Sequence, residues 1–467
     1  MLHISLDETK KRSYTKQIYT KIREKILLGE LDTGKLPSSR ELSRELCVAR
    51  NTVLTAYDML VSEGIVYSVS GSGFYVNPGI KHIPQSFPIK DYQVASLSDL
   101  VFTDRIINFD SGLPAIDLFP RKKWNRAVSD AFLDAPVSAL GYDNPQGRPE
   151  FRNVLCAYLK KTRGVSCTPE QIIVTTGAKQ GLSLVAKCLL NSQSKVWIEN
   201  PSNSNVQQIF SYYTQQITPI EVDNQGLQPA LFPTGEKPTL IFTTPSHQFP
   251  MGGILPMQRR IELVQFARKS GAYILEDDYD SEFTYDSPPS KSLFELDSER
   301  VIYVGTFSKI MFPSIRLGYL IVPLCLVSKM RELKRLADHH SNSAYQLALL
   351  RFIESGDLER HIRRMKKVYR SRRDCLLELL HSCFGERVRI FGTAAGMHVI
   401  AEFKDLTFTA ERAKGLLRSG VYVVSVENHS IEKGIHNNQI ILGYAGLERE
   451  AMSLGIDLLK AQFREVL

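Results

Sequence analysis

A lysine and an aspartate, each placed after an apolar segment, are the residues of this chain best suited to chemistry. Lys309 follows the apolar run 301–305, and Asp277, 32 residues earlier, follows the apolar run 273–275. A lysine whose ammonium is partly desolvated loses its proton easily and can form an imine with an aldehyde. A carboxylate at the carboxyl edge of a sheet, where ligands bind, can pair with a protonated ring nitrogen. Together the two residues predict a covalently held cofactor that carries an aldehyde and a basic ring nitrogen.

Groups suited to a phosphate dianion lie at further predicted strand ends. A strand predicted over 172–176 breaks at Gly177, and the helix that follows offers free amides and the positive end of its dipole. Hydroxyl groups and a guanidinium fork accompany the lysine further along the chain. The predicted phosphate ligands are Gly177, Ala178, Lys179, Ser308 and Arg316, with Thr306 as a further hydroxyl. Each motif alone has an ordinary structural explanation, so the prediction depends on finding them together and in this order.

Two more residues complete the predicted site. Tyr279 lies two residues after Asp277 in an extended segment, so the two side chains can point to the same side. His247 lies in the turn-rich segment 244–253, directly after another predicted strand.

The elements that must position these residues form an α/β body. Strand-like and helical segments alternate over 106–467, which predicts a largely parallel sheet. We divide this body into a large subdomain at about 125–330 and a small subdomain at about 331–467. Residues 78–105 contain three prolines and no sustained periodicity, and we interpret them as an interdomain linker.

Residues 1–77 have the pattern of a winged helix-turn-helix. Isoleucines at helical spacing predict a first helix that closes at Gly29, and Ser38 or Ser39 suits the N-cap of a second. A glycine-containing turn between two short β-rich runs predicts a hairpin. The predicted elements are helices over 14–28, from 38 or 39 to about 47 and over 48–63, and a hairpin over 65–76.

Polar side chains at the start of the third helix suit the reading of DNA bases. A recognition helix needs short polar and basic side chains where its N-terminal end meets base edges. The remaining predicted contacts, on the second helix and the wing, would go to phosphates. The predicted DNA-binding residues are Ser39, Arg40, Arg50, Asn51, Thr52, Gly71 and Gly73. The alternative is a small helical domain with a solvated polar face.

Composition sets broad limits on function. The net charge of +8 permits nucleic-acid binding, but residues 1–80 contain eleven Lys or Arg and nine Asp or Glu. The residue pattern therefore carries the DNA argument, and bulk charge does not. Seven scattered cysteines without Cys-x-x-Cys spacing favour inert thiols over disulfides or a metal site, and we predict no metal. With no long apolar stretch and a polar N-terminus, we expect a cytoplasmic protein with no membrane partner.

The motifs together resemble one family over nearly the whole chain. The run PSSRELSRELCVARNTV at 37–53 resembles the DNA-binding domain of GntR-type bacterial regulators. The runs TPSHQFP, EDDYDSEF and GTFSK, at 244–250, 276–283 and 305–309, resemble fold-type I aminotransferases. Residues 1–77 and the body at 106–467, joined in one chain, resemble the MocR subfamily of GntR-type regulators. The resemblance implies a multidomain protein, with an N-terminal winged helix-turn-helix and a C-terminal α/β fold-type I body that binds pyridoxal 5'-phosphate (PLP).

The resemblance also implies roles and partners. Lys309 would hold PLP as an imine, Asp277 would pair with its pyridine nitrogen and Tyr279 would bond its phenolic oxygen. His247 or Gln248 would lie near the oxygen side of the ring. We expect double-stranded DNA with paired half-sites as a partner, and a homodimer arranged head-to-tail.

Two positions depart from the aminotransferase pattern. Asn203 stands where relatives often have an aromatic side chain that stacks on the cofactor ring. Ile441 stands where aminotransferases tend to hold the substrate carboxylate with an arginine. A guanidinium clamp contributes much of the orientation that transamination needs. The alternative is an alignment offset by a few residues, with an arginine elsewhere in that role.

These observations predict a transcriptional regulator whose body senses PLP, or an amino compound that displaces Lys309. An active aminotransferase with an accessory DNA-binding head is the alternative, in which Ile441 and Asn203 count against efficient turnover. We expect no physiological turnover, although half-reactions of a transaminase remain compatible with the motifs. A DNA-binding protein with an inactive body is hard to reconcile with four intact cofactor motifs.

Overall fold

The computed structural model of the chain describes residues 2, 4–7, 13–31, 34–80, 106–286, 291–404 and 406–463. The chain divides into two compact units, Met1–Val101 and Phe102–Leu467. Most of the predicted linker lies outside the described residues, so its limits and the subdomain limits stay predictions. None of the described helices is long and apolar enough to cross a membrane.

The described part of the N-terminal unit contains three helices and a two-stranded hairpin, as predicted. Ser13 and Ser38 cap the first two helices by accepting hydrogen bonds from backbone amides, so Ser38 is the cap of the second. The apolar faces of the helices pack into one small core that includes Ile22 and Tyr57. The elements are α1 Tyr14–Leu27, α2 Ser39–Glu45, α3 Arg50–Ser62, β1 Val66–Val69 and β2 Gly73–Val76.

The hairpin turn explains one of the two wing glycines. Strands β1 and β2 pair antiparallel, with Val66 opposite Val76 and Val69 opposite Gly73. Gly71 in the connecting turn has φ 73°, a backbone conformation that residues with a Cβ rarely adopt. The wing is therefore a short twisted ribbon whose turn depends on glycine.

The C-terminal unit is built around one large sheet. Among the described residues, eight of its strands lie in the order β4-β11-β10-β9-β8-β5-β6-β7. Neighbours from β10 to β6 are parallel, whereas β11 runs antiparallel to both β10 and β4. These strands are β4 Ile172–Thr175, β5 Val196–Asn200, β6 Ile217–Asp223, β7 Gly226–Leu227, β8 Leu240–Thr243, β9 Tyr273–Asp278, β10 Val301–Thr306 and β11 Gly318–Ile321.

The central strands are apolar on both faces because helices cover both sides of the sheet. In β10, Ile302 packs into one hydrophobic cluster and Tyr303 into the other. Such continuous apolar strands are typical of a parallel sheet that is buried on both sides. The helices of the unit are α4 Arg121–Leu133, α5 Pro149–Arg163, α6 Ala178–Leu189, α7 Ser204–Ser211, α8 Met257–Ser270, α9 Leu293–Leu296, α10 Leu324–Asp338, α11 Ser343–Glu354, α12 Asp357–Phe384, α13 Ala410–Arg418 and α14 Arg449–Gln462.

A smaller antiparallel sheet lies in the C-terminal part of this unit. Its strands lie in the order β12-β13-β16-β15. The short strand β14 pairs in parallel with β3, so the first described residues of the unit join its C-terminal part. The strands are β3 Ile107–Asn108, β12 Val388–Phe391, β13 His398–Phe403, β14 Val421–Tyr422, β15 Val424–Ser425 and β16 Gln439–Gly443. The predicted α/β body with a largely parallel sheet is confirmed.

Gly305 tests how tightly the centre of the large sheet is packed. A Cβ added at Gly305 in β10 would lie 2.2 Å from Cζ of Tyr319 on β11. We expect Gly305→Ala to destabilise the body by about 1–3 kcal/mol, because an overpacked core must shift side chains or backbone. A thermal melt measures this. The control is Gly415→Ala on α13, where the nearest atom to an added Cβ is 3.5 Å away, an ordinary contact distance. Equal melting temperatures for the two variants would contradict the packing argument.

Candidate functional site

The carboxyl ends of the parallel strands open into a cavity of about 650 Å³. The pairing of β9 with β10 sets its geometry, because Val304 lies opposite Asp277 and Gly305 opposite Asp278. The segment that follows β10 then carries Lys309 into the same cavity. The described residues that line it include Phe109, Asp110, Gly112, Leu113, Ala178, Lys179, Asn203, Thr244, Phe249, Asp277, Tyr279, Thr306, Ser308, Lys309, Arg316, Tyr422, His429 and Ile441.

Lys309 reaches the cavity with a hydrogen-bonded amine of lowered pKa. Its Nζ donates a hydrogen bond to the carbonyl oxygen of Gly112 at 2.7 Å. Burial lowers the pKa of Lys309, and the carboxylates of Asp110, Asp280 and Asp277 oppose that shift. A Cβ on Gly112 would lie 2.9 Å from Nζ, so the absence of a side chain there leaves room for the lysine. A lysine of lowered pKa loses its proton readily, as attack on an aldehyde requires.

Asp277 is a buried carboxylate that still needs a partner. Its Oδ1 is buried and has no hydrogen-bond partner among the described residues. Burial, reinforced by the neighbouring carboxylates of Asp278, Asp280 and Glu199, raises the pKa of Asp277 to about 7. A protonated ring nitrogen in the cavity would supply the missing donor and favour the carboxylate form.

Tyr279 lies beside Asp277 in the cavity wall, and His247 lies behind it. The Tyr279 hydroxyl is 3.0 Å from Nδ1 of His247, and that nitrogen is also 3.0 Å from Oδ2 of Asp280. His247 is buried and is not among the residues that line the cavity. The structure therefore places it where it can orient Tyr279. Gln248 is also buried, and its amide donates to Glu199 and to the carbonyl oxygen of Pro201.

The predicted phosphate ligands meet at one end of the cavity. Gly177, with φ 113°, precedes α6 and gives that helix no side-chain cap, so the first amides of the helix stay open to a ligand. A Cβ on Gly177 would lie 3.2 Å from Nη2 of Arg316, which brings the glycine and the guanidinium together. The Thr306 hydroxyl donates to Oγ of Ser308 at 3.1 Å. Ala178 and Lys179 also line the cavity here, and Nζ of Lys179 donates to Oδ1 of Asn205 at 2.8 Å.

The two departures from the aminotransferase pattern both face the cavity. Ile441 on β16 is buried in its wall. Of the described residues that line the cavity, Arg316 supplies the guanidinium, and it belongs to the phosphate end. Asn203 accepts a hydrogen bond from the amide of Asn205 and so caps α7. The cavity wall is therefore apolar at Ile441, and among the described lining residues the guanidinium is that of Arg316.

Several residues of the cavity were missed by the sequence reasoning. Asp110 lies in the segment before Gly112 and donates its backbone amide to Asn108, while its Oδ1 accepts from the Gly112 amide. Phe249 and Thr244 lie in the turn-rich segment already predicted to belong to the site, which was the available signal. Tyr422 and His429 come from the C-terminal part of the chain, where no motif pointed to them.

A buried group of possible metal ligands lies behind the cavity wall. His247, Asp280 and His398 each offer one ligand atom, and these atoms lie within 4.8 Å of one another. Nε2 of His398 donates to the carbonyl oxygen of Pro250 at 2.9 Å, and burial lowers its pKa to about 3. The contacts of His247 with Tyr279 and Asp280 give this group a structural role beside the cavity.

The N-terminal unit presents most of its predicted DNA contacts to solvent. Arg40, Arg50, Asn51 and Gly71 are exposed, whereas Thr52 is half-buried. Nε of Arg50 donates to Oγ of Ser39 at 3.1 Å, and Ser39 itself is buried. Ser39 is therefore placed to hold Arg50 at the start of α3. At Gly73, φ is 121° and an added Cβ would meet Cε of Lys35 at 3.2 Å.

Comparison with known proteins matches both units. Residues 14–76 match the gntR family of bacterial regulatory proteins, and residues 104–450 match the aminotransferase class I and II family. The probable rhizopine catabolism regulatory protein MocR of Rhizobium meliloti is 32% identical, over 96% of this chain and 93% of that protein. The HTH-type pyridoxine biosynthesis transcriptional regulator PdxR of Corynebacterium glutamicum is 31% identical, over 89% of each.

A solved enzyme structure also resembles the body. The kynurenine aminotransferase of Pyrococcus horikoshii superposes with a TM-score of 0.73 at 28% identity, over 81% of this chain and 96% of that chain.

A winged helix-turn-helix joined to an aminotransferase-like body defines a class of bacterial regulators. The chain belongs to the GntR family of bacterial regulatory proteins and, within it, to the MocR subfamily. The resemblance inferred from the sequence is confirmed.

The raised pKa of Asp277 predicts a pH-dependent stability. An acid whose pKa is higher in the folded than in the unfolded protein destabilises the fold progressively as pH rises between those two values. For Asp277 the values are 3.8 and about 7. Without added cofactor, the free energy of unfolding of Asp277→Asn should rise relative to that of the wild type as pH increases from about 4 to about 7. Above that range the variant should be more stable than the wild type, by up to about 4 kcal/mol.

Chemical denaturation across pH measures this difference. The control is Asp457→Asn, an exposed residue on α14 that should leave the pH profile unchanged. A pH-independent difference between Asp277→Asn and the wild type would show that the carboxyl is not held in its neutral form.

Proposed function

We propose that this chain is a PLP-dependent, DNA-binding transcriptional regulator. The observation that carries the proposal is one cavity that combines a lysine of lowered pKa, an unpartnered buried carboxylate and an uncapped helix start, in a chain with a winged helix-turn-helix. An enzyme alone would have no use for the second unit. The two named relatives, which share both units, are themselves regulators by name.

The residues of the cavity fit PLP group by group. PLP supplies an aldehyde, a ring nitrogen that accepts a proton, a phenolic oxygen and a phosphate. Lys309 would capture the aldehyde, and Asp277 would hold the ring nitrogen protonated through its free Oδ1. Tyr279, oriented from behind by His247, would donate to the phenolic oxygen. The amides that follow Gly177, with Ser308, Lys179 and Arg316, would bind the phosphate.

The cavity wall at Ile441 supports PLP itself, or an amine, as the signal. An α-amino acid whose carboxylate lay near Ile441 would find no guanidinium beside it among the described lining residues, while the carboxylate of Asp110 also lines the cavity. Such a pairing disfavours amino acids as efficient ligands. A signal molecule shifts the regulator only if it binds one arrangement of the protein better than the other. The PdxR relative, named for pyridoxine biosynthesis, supports vitamin B6 as the signal.

Exposed apolar side chains support a homodimer. Within 132–142, Leu133, Val137 and Tyr142 are 81%, 87% and 88% exposed. Phe132 and Leu140 of the same segment are also exposed. Several large exposed apolar side chains in one short segment support a protein–protein interface there. We propose that two chains pair through this segment in a head-to-tail dimer, and that the two N-terminal units read paired half-sites.

The competing function is an active aminotransferase with an accessory DNA-binding unit. Asp277 and Lys309 keep the geometry that such an enzyme would use, and the body resembles a solved aminotransferase. The discriminating measurement is keto-acid production from amino acids by the PLP-loaded protein. Sustained turnover of roughly 1 per second or more, an ordinary enzyme rate, would favour the enzyme. A single half-reaction without turnover agrees with the regulator.

Lys309 should be essential for covalent capture of PLP. The purified protein incubated with PLP should show the absorbance of a PLP imine, and Lys309→Ala should lose it, because the other cavity lysine, Lys179, is held by Asn205 at the phosphate end. The control is Lys187→Ala, an exposed lysine on α6 that should keep the absorbance. Absence of imine absorbance in the wild type, or its persistence in Lys309→Ala, would overturn the assignment.

Arg50 should be essential for DNA binding. Replacing it with alanine removes a guanidinium at the start of the recognition helix, and loss of a good base contact costs about 1–3 kcal/mol. A mobility-shift assay with the DNA upstream of the gene should show a complex that is weaker by about 5- to 150-fold. Wild-type binding should also weaken steeply with salt.

The matched control for Arg50 is Arg23→Ala. Arg23 pairs with Glu63 at the C-terminal end of α3, at 2.9 Å, away from the start of the helix. The Arg23→Ala variant should therefore bind DNA with the affinity of the wild type. Equal loss in both variants, or in neither, would contradict the proposed recognition helix.

A further inference from the structure

Two cysteines of the body lie in contact. Cys156 is on α5, and Cys167 follows four residues after the last residue of that helix, Arg163. Their Sγ atoms are 3.5 Å apart, and both residues are only partly buried. The sequence spacing gave no sign of this, because the cysteines are separated by ten residues and match no common motif.

The local fold brings the two thiols together and holds them there. Gly164 ends α5 with φ 67°, which turns the chain back along the helix. The Val165 amide then donates to the carbonyl oxygen of Leu159. Arg152, one helical turn before Cys156, donates to the carbonyl oxygens of Gly147 and Pro169, so it ties the returning segment to the helix. The contact between the sulfurs is therefore set by the backbone on both sides.

The two sulfurs are not equivalent. Either sulfur can donate to the other at this distance. A hydrogen bond donated by the Cys167 thiol, together with the nearby Arg152, lowers the pKa of Cys156. The same hydrogen bond and burial raise the pKa of Cys167. Cys156 is thus the better nucleophile, because the thiolate is the reactive form, and Cys167 is the thiol that follows.

We propose that Cys156 and Cys167 form a redox modification site that hydrogen peroxide converts into a reversible intrachain disulfide. The Cys156 thiolate attacks one peroxide oxygen, the O–O bond breaks, and hydroxide leaves and takes up a proton to give water. The sulfur becomes a sulfenic acid. The sulfur of Cys167 then attacks the sulfur of Cys156 and expels a second hydroxide, which takes up the proton of Cys167. Two thiols are oxidised to one disulfide, and one peroxide is reduced to two waters.

The position of the pair gives this oxidation a structural consequence. The disulfide would close a ring of residues that contains Arg163. The Arg163 guanidinium is buried and paired with Asp278 and Glu282, and Asp278 is the neighbour of Asp277 on β9. Oxidation would therefore fix the segment that holds this arginine beside the cofactor carboxylate.

The other five cysteines provide the comparison. Cys47 and Cys325 are exposed, and Cys325 lies 3.7 Å from the Tyr273 hydroxyl. All seven cysteines belong to the part of the chain that the structure describes, and Cys156 with Cys167 is the pair whose sulfurs are in hydrogen-bond contact. If exposure alone governed oxidation, Cys47 and Cys325 would react first.

Peptide mapping of the full-length protein tests the proposal without relying on a variant. The protein is treated with hydrogen peroxide, its remaining thiols are alkylated, and it is digested with trypsin without reductant. Cleavage within 160–163 separates the two cysteines, so the expected product is peptide 153–160 joined to peptide 164–179 by a disulfide. Treatment with dithiothreitol should release both peptides.

Variants assign the order of the steps. Cys167→Ser should leave Cys156 as a sulfenic acid that dimedone traps, whereas Cys156→Ser should leave Cys167 as a free thiol. The matched control is Cys383→Ser, another partly buried cysteine whose replacement should keep the joined peptides. The proposal is overturned if the joined peptides are absent from oxidised wild type while Cys47 and Cys325 are oxidised. It is equally overturned if Cys156 and Cys167 oxidise independently, to sulfinic or sulfonic acids.

Discussion

The parallel pairing of β9 with β10 is the constraint on which the rest of the body depends. It sets Asp277 opposite Val304, and the same strand end delivers Lys309 to the cavity. Both groups are withdrawn from water, which raises the pKa of the aspartate and lowers that of the lysine. Burial therefore disfavours the charged form of both side chains. A cofactor that offers a protonated ring nitrogen to the carboxylate and an aldehyde to the amine would satisfy both groups.

Other elements complete the cavity around Asp277 and Lys309. The start of α6, with Arg316 beside Gly177, offers an anion site at one end of the cavity. His247 and Asp280 orient Tyr279 from behind the wall. Ile441, elsewhere in the wall, offers no charge for a substrate carboxylate. Among the described lining residues the guanidinium is that of Arg316, which lies beside Gly177, and this supports the proposed sensor over a catalyst.

The sequence predicted the motifs that lie at strand ends, because a strand followed by a glycine, an acid or a lysine is a local pattern. The same held for the three helices and the wing of the N-terminal unit. It did not predict that His247 lies behind Tyr279, since burial of a side chain depends on packing against Gly396, far along the chain. Tyr422, His429 and the Cys156–Cys167 contact were missed for the same reason. Each depends on how distant or turning segments meet, which periodicity does not encode.

The central claim is that occupancy of the cavity and DNA binding are coupled, and one titration tests it. PLP is added to the purified protein while the cofactor absorbance and the affinity for the DNA upstream of its gene are followed together. Because linkage is reciprocal, a ligand that changes DNA affinity must itself bind more tightly or more weakly when DNA is present. Both signals should change with one midpoint, and Lys309→Ala should abolish the change in DNA affinity. Saturation of the absorbance by PLP, or by any amine tested with it, at constant DNA affinity would contradict it.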